Sequence, residues 1–187
     1  MIAAVVLAAG ASTRLGVPKQ FVVISGETLL ERAVRTAREA GCDPVVVVLG
    51  AAYVEILATS SLGDAVPVIN DEWKEGMASS IRLGVRTLGF IAKDAEGVLL
   101  MTCDQPAANS EHLRLLMIEQ EVKASRYAGR NGVPAYFPKK YFSGLMALAG
   151  DVGARTLLAD ARAEDLAHGE LDIDTPDDLA RALELFG

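Results

Sequence analysis

A loop of small residues and cations near the start of the chain is the first segment whose residue types suggest chemistry. Residues 7–20 read LAAGASTRLGVPKQ and follow a short apolar run. Backbone N–H groups can approach phosphate oxygens closely at Gly10 and Gly16, because glycine has no Cβ. Arg14 and Lys19 add two positive charges to the same loop. The loop therefore predicts a binding site for a phosphorylated ligand.

The spacing within this loop differs from the two commonest phosphate-binding motifs. It lacks the G-x-G-x-x-G pattern of dinucleotide-binding folds, and its lysine follows Pro18 instead of the glycine in the G-x-x-x-x-G-K-[ST] pattern. Kinases and ATPases built on those motifs are disfavoured. The structural alternative is a plain turn in which Arg14 and Lys19 are solvated.

Aspartates beside two apolar segments could bind a metal. Asp104 follows the apolar run 98–102 and precedes Pro106, so we expect it at the end of a buried strand. Asp172 and Asp174 alternate with apolar residues, so both should lie on one side of an extended segment. Mg²⁺ binds one or two carboxylates together with substrate phosphates. The alternatives are a turn at Asp104 and solvated aspartates ahead of a helix.

A third segment, residues 70–82, places small and hydroxyl side chains at the start of a predicted helix. It contains Gly76, Ser79 and Ser80, preceded by an asparagine and the only tryptophan. Groups at a helix start either cap the helix or contact a polar ligand. Both interpretations stay open for the serines, and the tryptophan is either a pocket wall or part of the core.

Together these segments resemble one enzyme family. The run at residues 7–20 is similar to the signature loop of sugar-nucleotide-transferase-like nucleotidyltransferases, in particular the molybdenum cofactor cytidylyltransferase branch of the molybdopterin nucleotidyltransferase-like family. The further matches are D-Q-P at 104–106, D-I-D-T-P at 172–176, N-x-x-W-x-x-G-M-x-S-S-I at 70–81, G-x-x-G-x-P at 129–134 and G-D-x-G-A-R at 150–155. They follow the family's order along almost the whole chain.

The resemblance implies a role for each of the first three segments. Lys19 and Arg14 would be the catalytic cations, which neutralise a nucleoside triphosphate and its transition state. Asp104 and Asp174 would hold Mg²⁺, with Asp172 as the reserve ligand. The nucleotide would be bound by residues from the first loop and the helix start, namely Leu7, Ala8, Ala9, Gly10, Ser12, Gly76, Ser79 and Ser80.

The resemblance also implies an acceptor site on the two downstream motifs. In relatives these motifs face a phosphorylated pterin, and arginine suits a phosphate because its guanidinium can bind in a bidentate manner. The resemblance assigns acceptor binding in this chain to Arg155, Arg130, Gly132, Pro134 and Asp151. Asn131 stands where many relatives have a ring-bearing or basic residue, so the identity of the acceptor stays open. Turn glycines and exposed cations are the structural alternative.

The implied activity is transfer of a cytidylyl group from CTP to the terminal phosphate of molybdopterin or its molybdenum-loaded form, with release of pyrophosphate. CTP is favoured because guanylyl-transferring relatives usually read L-A-G-G where this chain has Ala9, and an added methyl group would narrow a base pocket. The alternatives are GTP, another phosphorylated acceptor such as methylerythritol phosphate, and a non-catalytic accessory protein for molybdenum enzymes. A molybdenum hydroxylase or its chaperone is the expected protein partner.

The elements that must position these residues alternate along the chain. Short β-branched runs predict strands and longer runs with one apolar face predict helices, an order typical of parallel sheets covered on both faces. The predicted strands are 3–8, 45–49, 66–69 and 98–102, and the predicted helices are 27–40, 53–60, 77–91, 110–124 and one after Thr175. The expected fold is α/β, a three-layer α/β/α sandwich with a mostly parallel, Rossmann-like sheet. The resemblance implies the nucleotide-diphospho-sugar transferase type of this fold.

The region after residue 125 breaks this alternation. Glycines and prolines divide it into turns around the apolar residues 135–137. Residues 126–156 are therefore predicted to form an irregular insertion beside the sheet, on the acceptor side. With no repeat or linker in the sequence, residues 1–187 are expected to form a single nucleotidyltransferase domain.

Composition disfavours several other classes of protein. Hydrophobic residues make up 51% of the chain and charged residues 23%, which is typical of a globular domain. The formal net charge of -7 disfavours nucleic acid as a partner, because phosphates require a basic surface. Two cysteines are too few for a secreted disulfide scaffold, and no apolar run reaches the roughly 20 residues that a bilayer requires. We expect a cytoplasmic protein that does not enter a membrane.

Overall fold

The structure is a computed structural model, and it describes residues 1–187. Its nine strands are β1 (Ile2–Ala8), β2 (Val23–Ile24), β3 (Glu27–Thr28), β4 (Val45–Leu49), β5 (Val66–Ile69), β6 (Gly97–Thr102), β7 (Lys123–Tyr127), β8 (Arg130–Pro138) and β9 (Arg162–Asp165). Seven of them form one sheet in the order β5-β4-β1-β6-β8-β7-β9, and β2 pairs with β3 in a separate hairpin. Only β8 runs against its neighbours in the large sheet.

Seven helices surround the sheet. They are α1 (Leu29–Glu39), α2 (Tyr53–Thr59), α3 (Met77–Ile91), α4 (Ser110–Met117), α5 (Phe142–Met146), α6 (Arg155–Leu158) and α7 (Pro176–Phe186). No helix combines the length and the apolar character needed to cross a bilayer.

Alternate residues of the central strands enter two separate cores. On one face, Val6 and Val47 pack with Leu30 and other residues of α1, α2 and α4. On the opposite face, Val5 and Val48 pack with residues of α3, α5 and α6. Because both faces are buried, the strands read as continuous apolar runs. The predicted three-layer, mostly parallel α/β/α fold is confirmed.

Two predicted boundaries of helices were wrong. The helix predicted at 110–124 ends at Met117, and the end of that range enters β7, which pairs with β8 and β9. The helix predicted at 27–40 begins two residues later. Thr28 adopts an extended conformation, pairs with Val23, and forms a reciprocal capping box with Glu31.

The prediction that residues 126–156 form an irregular segment was also wrong. The segment contains the whole of β8, a strand of nine residues that lies beside β6 within the main sheet. Ala128 and Gly129, both with positive φ, form the tight turn between β7 and β8. Pro134 lies opposite the point where the register with β7 shifts, so its missing N–H disrupts no regular ladder. The turn residues therefore belong to a hairpin.

Two glycines of helix α3 provide a test of how closely this helix packs on the sheet. A Cβ on Gly84 would lie 2.5 Å from Cγ1 of Val5, whereas a Cβ on Gly89 would meet nothing within 4 Å. We expect Gly84→Ala to lower the free energy of unfolding by about 1–3 kcal/mol through overpacking. Gly89→Ala, on the exposed side of the same helix, should raise it by about 0.5–1 kcal/mol. Chemical denaturation of both variants measures the difference, and equal effects would contradict the packing described here.

Candidate active site

A cavity of about 530 Å³ opens at the carboxyl ends of β1 and β6. This is the edge of the sheet at which ligands bind in doubly wound α/β folds. Nine of the residues predicted to act in the site line it, and they are Leu7, Ala8, Ala9, Gly10, Lys19, Gly76, Ser80, Asp104 and Asp151. Trp73, Lys74 and Glu75 form part of its wall. The fold therefore brings together residues that lie far apart in sequence.

A network of charges lies at this cavity. The Lys19 ammonium forms ion pairs with Asp104 and with Oδ1 of Asp174, the second at 3.1 Å. Nη2 of Arg14 lies 2.7 Å from Oδ2 of Asp174. Burial alone would lower the pKa of Lys19, but the charge and hydrogen bond of Asp104 outweigh burial and raise the pKa well above its usual value. Lys19 therefore stays protonated and acts as a fixed cation.

The first loop holds Lys19 in place through hydrogen bonds within the loop. The Lys19 backbone N–H donates to Oγ of Ser12 at 3.0 Å. The fully buried Gln20 side chain donates to the carbonyls of Ala8 and Gly10, at 2.6 and 3.2 Å. Ser12 does not line the cavity, and its hydroxyl accepts the hydrogen bond from Lys19; its predicted contact with nucleotide stays a prediction. No role was predicted for Gln20, although its position next to Lys19 could have indicated one.

The aspartates of two distant segments meet beside Lys19. The backbone N–H of Ile173 donates to the Asp104 carbonyl at 3.1 Å, which places the extended segment around it against the end of β6. Leu171 and Ile173 are buried in a core that includes residues of β2 and α7, while Asp172 and Asp174 are only partly buried. The period-two alternation thus separates apolar from acidic side chains as predicted.

Asp172 and Asp104 both lie in a group of neighbouring carboxylates, which affects the pKa of Asp172. Burial, followed by the negative charge of Asp104, raises the pKa of Asp172 to about 7. Oδ1 of Asp104 is buried and has no hydrogen-bond partner. An unpaired buried carboxylate oxygen among further carboxylates fits a hard divalent cation, because Mg²⁺ and Mn²⁺ prefer oxygen ligands.

The acidic side chains around Lys19 do not form a closed metal site. No three acidic, histidine or cysteine side chains converge into a closed metal site. A cation held by Asp104 and Asp174 would therefore complete its coordination with phosphate oxygens and water, as is usual for Mg²⁺.

The segment before α3 uses one of its two serines internally. The Asn70 side chain donates to Oγ of Ser79 and Oγ of Ser80, at 2.8 and 2.9 Å. The Ser79 hydroxyl lies within hydrogen-bonding distance of the carbonyls of Glu72 and Gly76. Ser79 does not line the cavity and bonds within this loop, whereas Ser80 lines the cavity; contact of either serine with nucleotide stays a prediction. Sequence reasoning missed Asn70 as the residue that positions both serines.

The motif at residues 150–155 packs directly on the start of α3. Oδ1 of Asp151 accepts from the Met77 N–H at 3.3 Å, and the Gly150 carbonyl accepts from the N–H of Ala78 at 3.1 Å. Gly76 has a φ of 120°, and a Cβ there would lie 2.8 Å from backbone atoms of Gly150 and Asp151. Asp151 was predicted to bind the acceptor, and the structure shows that it also caps α3.

Arg82 fastens the same two loops from the other side. Its guanidinium donates to both carboxylate oxygens of Glu75, at 2.8 and 2.6 Å, and to the carbonyl of Leu148 at 2.8 Å. The wall of the cavity around Trp73 is therefore tied to the segment that precedes Asp151. No role could be predicted for Arg82 from sequence, because its partners are adjacent to it only in the folded chain.

The remaining predicted acceptor residues lie around a smaller cavity of about 100 Å³. Arg130, Gly132 and Arg155 line it, together with Met77 and Asp151, which also line the large cavity. A Cβ at Gly132 would lie 2.2 Å from the Tyr127 hydroxyl oxygen, so Gly132 leaves room for Tyr127. Pro134 is buried within β8 and lines neither cavity, and its contact with an acceptor stays a prediction.

Fold and site together define a nucleotide-binding α/β protein of the nucleotidyltransferase type. Residues 4–167 match the family described as MobA-like NTP transferase domain, and the chain belongs to this family.

The chain is similar in sequence and in structure to proteins that carry several different names. The purine catabolism protein PucB of Bacillus subtilis is 30% identical over 190 residues, covering 93% of this chain and 92% of PucB. Nicotine blue oxidoreductase of Paenarthrobacter nicotinovorans is 29% identical, covering 97% of this chain and 96% of that protein. The crystal structure of Rv0371c from Mycobacterium tuberculosis has a TM-score of 0.85 and 35% identity, covering 98% of this chain and 97% of that one. A structure of Rv0371c in complex with manganese has a TM-score of 0.79 and 33% identity, over 98% of each chain.

The buried, unpaired carboxylate oxygen of Asp104 leads to a testable prediction about metal binding. We expect Asp104→Asn to weaken Mn²⁺ binding by more than the roughly 10-fold loss that removal of an outer-shell group causes, because a direct ligand is lost. Asp177→Asn removes an exposed carboxylate in the first turn of α7 and serves as the matched control. Electron paramagnetic resonance of free Mn²⁺ measures both affinities. Unchanged binding by the Asp104 variant would rule out the assigned site.

Proposed function

We propose that the protein transfers a cytidylyl group from CTP to the terminal phosphate of a molybdopterin-type acceptor, in an Mg²⁺-dependent reaction. An oxygen of the acceptor phosphate forms a bond with the α-phosphorus of CTP. The bond from that phosphorus to the oxygen bridging the β-phosphate breaks, and the electron pair leaves with pyrophosphate. The acceptor is already an anion, so the reaction needs no nucleophile from the protein.

The observation that carries this proposal is the placement of Lys19 between Asp104 and Asp174 at the mouth of the nucleotide-sized cavity. Asp104 raises the pKa of Lys19, and a protonated lysine stabilises negative charge that develops on phosphate oxygens. Arg14, exposed and paired with Asp174, is placed to add a second positive charge. Gly10 presents backbone without a Cβ on the same side, and a ligand can approach it closely.

The metal part of the proposal rests on the carboxylates. Asp104 and Asp174 would hold Mg²⁺, with Asp172 close by. When bound, the cation would neutralise charge on the triphosphate and on the leaving pyrophosphate. The manganese complex of the similar Rv0371c protein supports a divalent cation of this type.

The acceptor assignment rests on the family and on the position of the second cavity. The smaller cavity lined by Arg130 and Arg155 adjoins the larger one through Met77 and Asp151. An acceptor bound there would reach a nucleotide in the large cavity. The MobA-like family and the downstream motifs support a molybdopterin-type acceptor, and a molybdenum hydroxylase or its chaperone would receive the product.

The choice of CTP over GTP rests on Ala9, which lines the cavity and packs against the backbone of Gly50. We expect Ala9→Gly to shift the ratio of kcat/KM for CTP over GTP toward GTP by about 10-fold or more, the usual effect of one methyl group in a pocket. Ala11→Gly, in the same loop but outside the cavity lining, is the control. A ratio that stays constant in the Ala9 variant would show that other residues select the base.

The decisive experiment measures pyrophosphate release by the purified protein with Mg²⁺, molybdopterin, and either CTP or GTP. We expect release with CTP and little with GTP. Lys19→Ala should lower turnover by about 100-fold or more, as loss of one group that stabilises transition-state charge does. Lys93→Ala, which removes an exposed lysine outside the cavity, should be normal.

Other outcomes of this experiment would favour a different nucleotide, a different acceptor or the accessory-protein alternative. Release with GTP alone would replace CTP by GTP. Nucleotide binding without release would favour either a different phosphorylated acceptor, such as methylerythritol phosphate, or the accessory-protein alternative. The accessory alternative further requires that the folded Lys19 variant still delivers cofactor to a molybdenum enzyme.

A further inference from the structure

Gln105, the residue that follows Asp104, makes hydrogen bonds that the proposed reaction does not explain. Its side chain is buried, and both of its polar atoms have partners. Oε1 accepts from Oγ1 of Thr102 at 3.2 Å. Nε2 donates to the hydroxyl oxygen of Tyr127 at 3.3 Å and to the carbonyl of Gly169 at 3.2 Å. The side chain therefore joins the end of β6 to β7 and to the segment that follows β9.

The segment that follows β9, residues 166–174, carries two of the aspartates of the site, and we call it the aspartate segment. Its backbone is bonded near both ends. The N–H of Leu166 donates to a carbonyl of β7 at 2.9 Å, and the N–H of Ile173 donates to the Asp104 carbonyl at 3.1 Å. Between these points, Gln105 is the only side chain that donates to a carbonyl of the segment. The middle of the segment therefore depends on Gln105 for its hydrogen bond to the end of β6.

Gly169 allows the aspartate segment to come close enough for this bond. A Cβ on Gly169 would lie 2.7 Å from Cδ1 of Tyr127 and 2.9 Å from Cδ2 of Leu166. Without a Cβ, the segment lies directly against the Tyr127 ring, and the Gly169 carbonyl comes within reach of the Gln105 amide. The Tyr127 hydroxyl itself donates to the Val133 carbonyl at 2.9 Å, so it must accept from Gln105.

The bonds of Gln105 bear on metal binding, because Mg²⁺ requires near-ideal octahedral geometry and groups outside the ligand shell orient the ligands. We propose that Gln105 is a positioning residue, which holds the aspartate segment against the end of β6 and so sets the distance between the Asp104 and Asp174 carboxylates for a divalent cation. The inference rests on the metal site of the proposed function. Gln105 lines neither the large nor the small cavity, so it acts through the backbone that it holds. An amide fits its partners, since it donates to two acceptors and accepts from a hydroxyl.

The first test measures Mn²⁺ affinity by electron paramagnetic resonance and does not depend on nucleotidyl transfer. We expect Gln105→Met, which keeps the shape of the side chain but removes its amide, to weaken Mn²⁺ binding by about 10-fold or more, as loss of an outer-shell partner does. Ser125→Ala is the matched control, because it removes a buried hydroxyl of β7 that donates to the Pro134 carbonyl at 2.6 Å. The control should lower the free energy of unfolding and leave Mn²⁺ affinity unchanged.

Two further variants separate the bonds of Gln105. Gly169→Ala, which pushes the aspartate segment away from Tyr127, should also weaken Mn²⁺ binding. Tyr127→Phe keeps the bond from Gln105 to the Gly169 carbonyl and should change Mn²⁺ affinity far less. Unchanged affinity in a folded Gln105→Met or Gly169→Ala variant would overturn the proposal. A loss in Tyr127→Phe as large as that in Gln105→Met would assign the effect to the tyrosine and overturn the role of the Gly169 bond.

The second test titrates Mg²⁺ in the pyrophosphate-release assay. Gln105→Met should raise the Mg²⁺ concentration for half-maximal turnover by about 10-fold, and excess Mg²⁺ should restore turnover, because the ligands themselves remain. A loss that excess Mg²⁺ does not restore would overturn the positioning role. Weaker Mn²⁺ binding in Gln105→Met without any transfer by the wild-type protein would support that role and overturn the proposed function. Mn²⁺ binding that survives Asp104→Asn would overturn the metal site, and this proposal with it.

Discussion

The contact on which the rest of the site depends is the buried ion pair of Lys19 with Asp104, which Asp174 extends. A lysine with most of its side chain removed from water is stable only beside opposite charge, because an unpaired buried charge costs several kcal/mol. The first loop, the end of β6 and the segment before α7 must therefore meet at one place. The hydrogen bond from Ile173 to the Asp104 carbonyl and the Gln20 side chain maintain that meeting point.

A second set of contacts joins the start of α3 to the motif at residues 150–155. Gly76 permits a backbone contact with Gly150 and Asp151 that a Cβ would prevent, and Arg82 reinforces it through Glu75 and Leu148. The wall of the large cavity around Trp73 and the 150–155 motif are therefore held together by backbone and side-chain contacts. Asp151 serves as one of these structural links and also lines both the large and the small cavity.

Much of the fold could be predicted from the sequence because its signals are local. The parallel strands are buried on both faces and read as apolar runs, and α7 begins with the capping residues Thr175 and Asp178. The segment from Ile118 to Asp165 could not be predicted in this way. The strand at Lys123–Tyr127 is only partly apolar and exists because β8 and β9 pair with it, and the glycine and proline signals beyond it belong to a hairpin and a register shift.

The sequence by itself determined which chemistry is available: a glycine-containing loop with two cations, and aspartates placed after apolar segments where hydrophobic burial orients them. Residue type and local periodicity are sufficient for that, since both are carried by neighbours in the chain. Only the tertiary structure decided which of these groups meet. It turned Ser80 to the cavity and Ser79 into the loop, and it gave Asp151 a capping partner. Contacts between distant segments depend on how the whole sheet packs, and no local pattern records them.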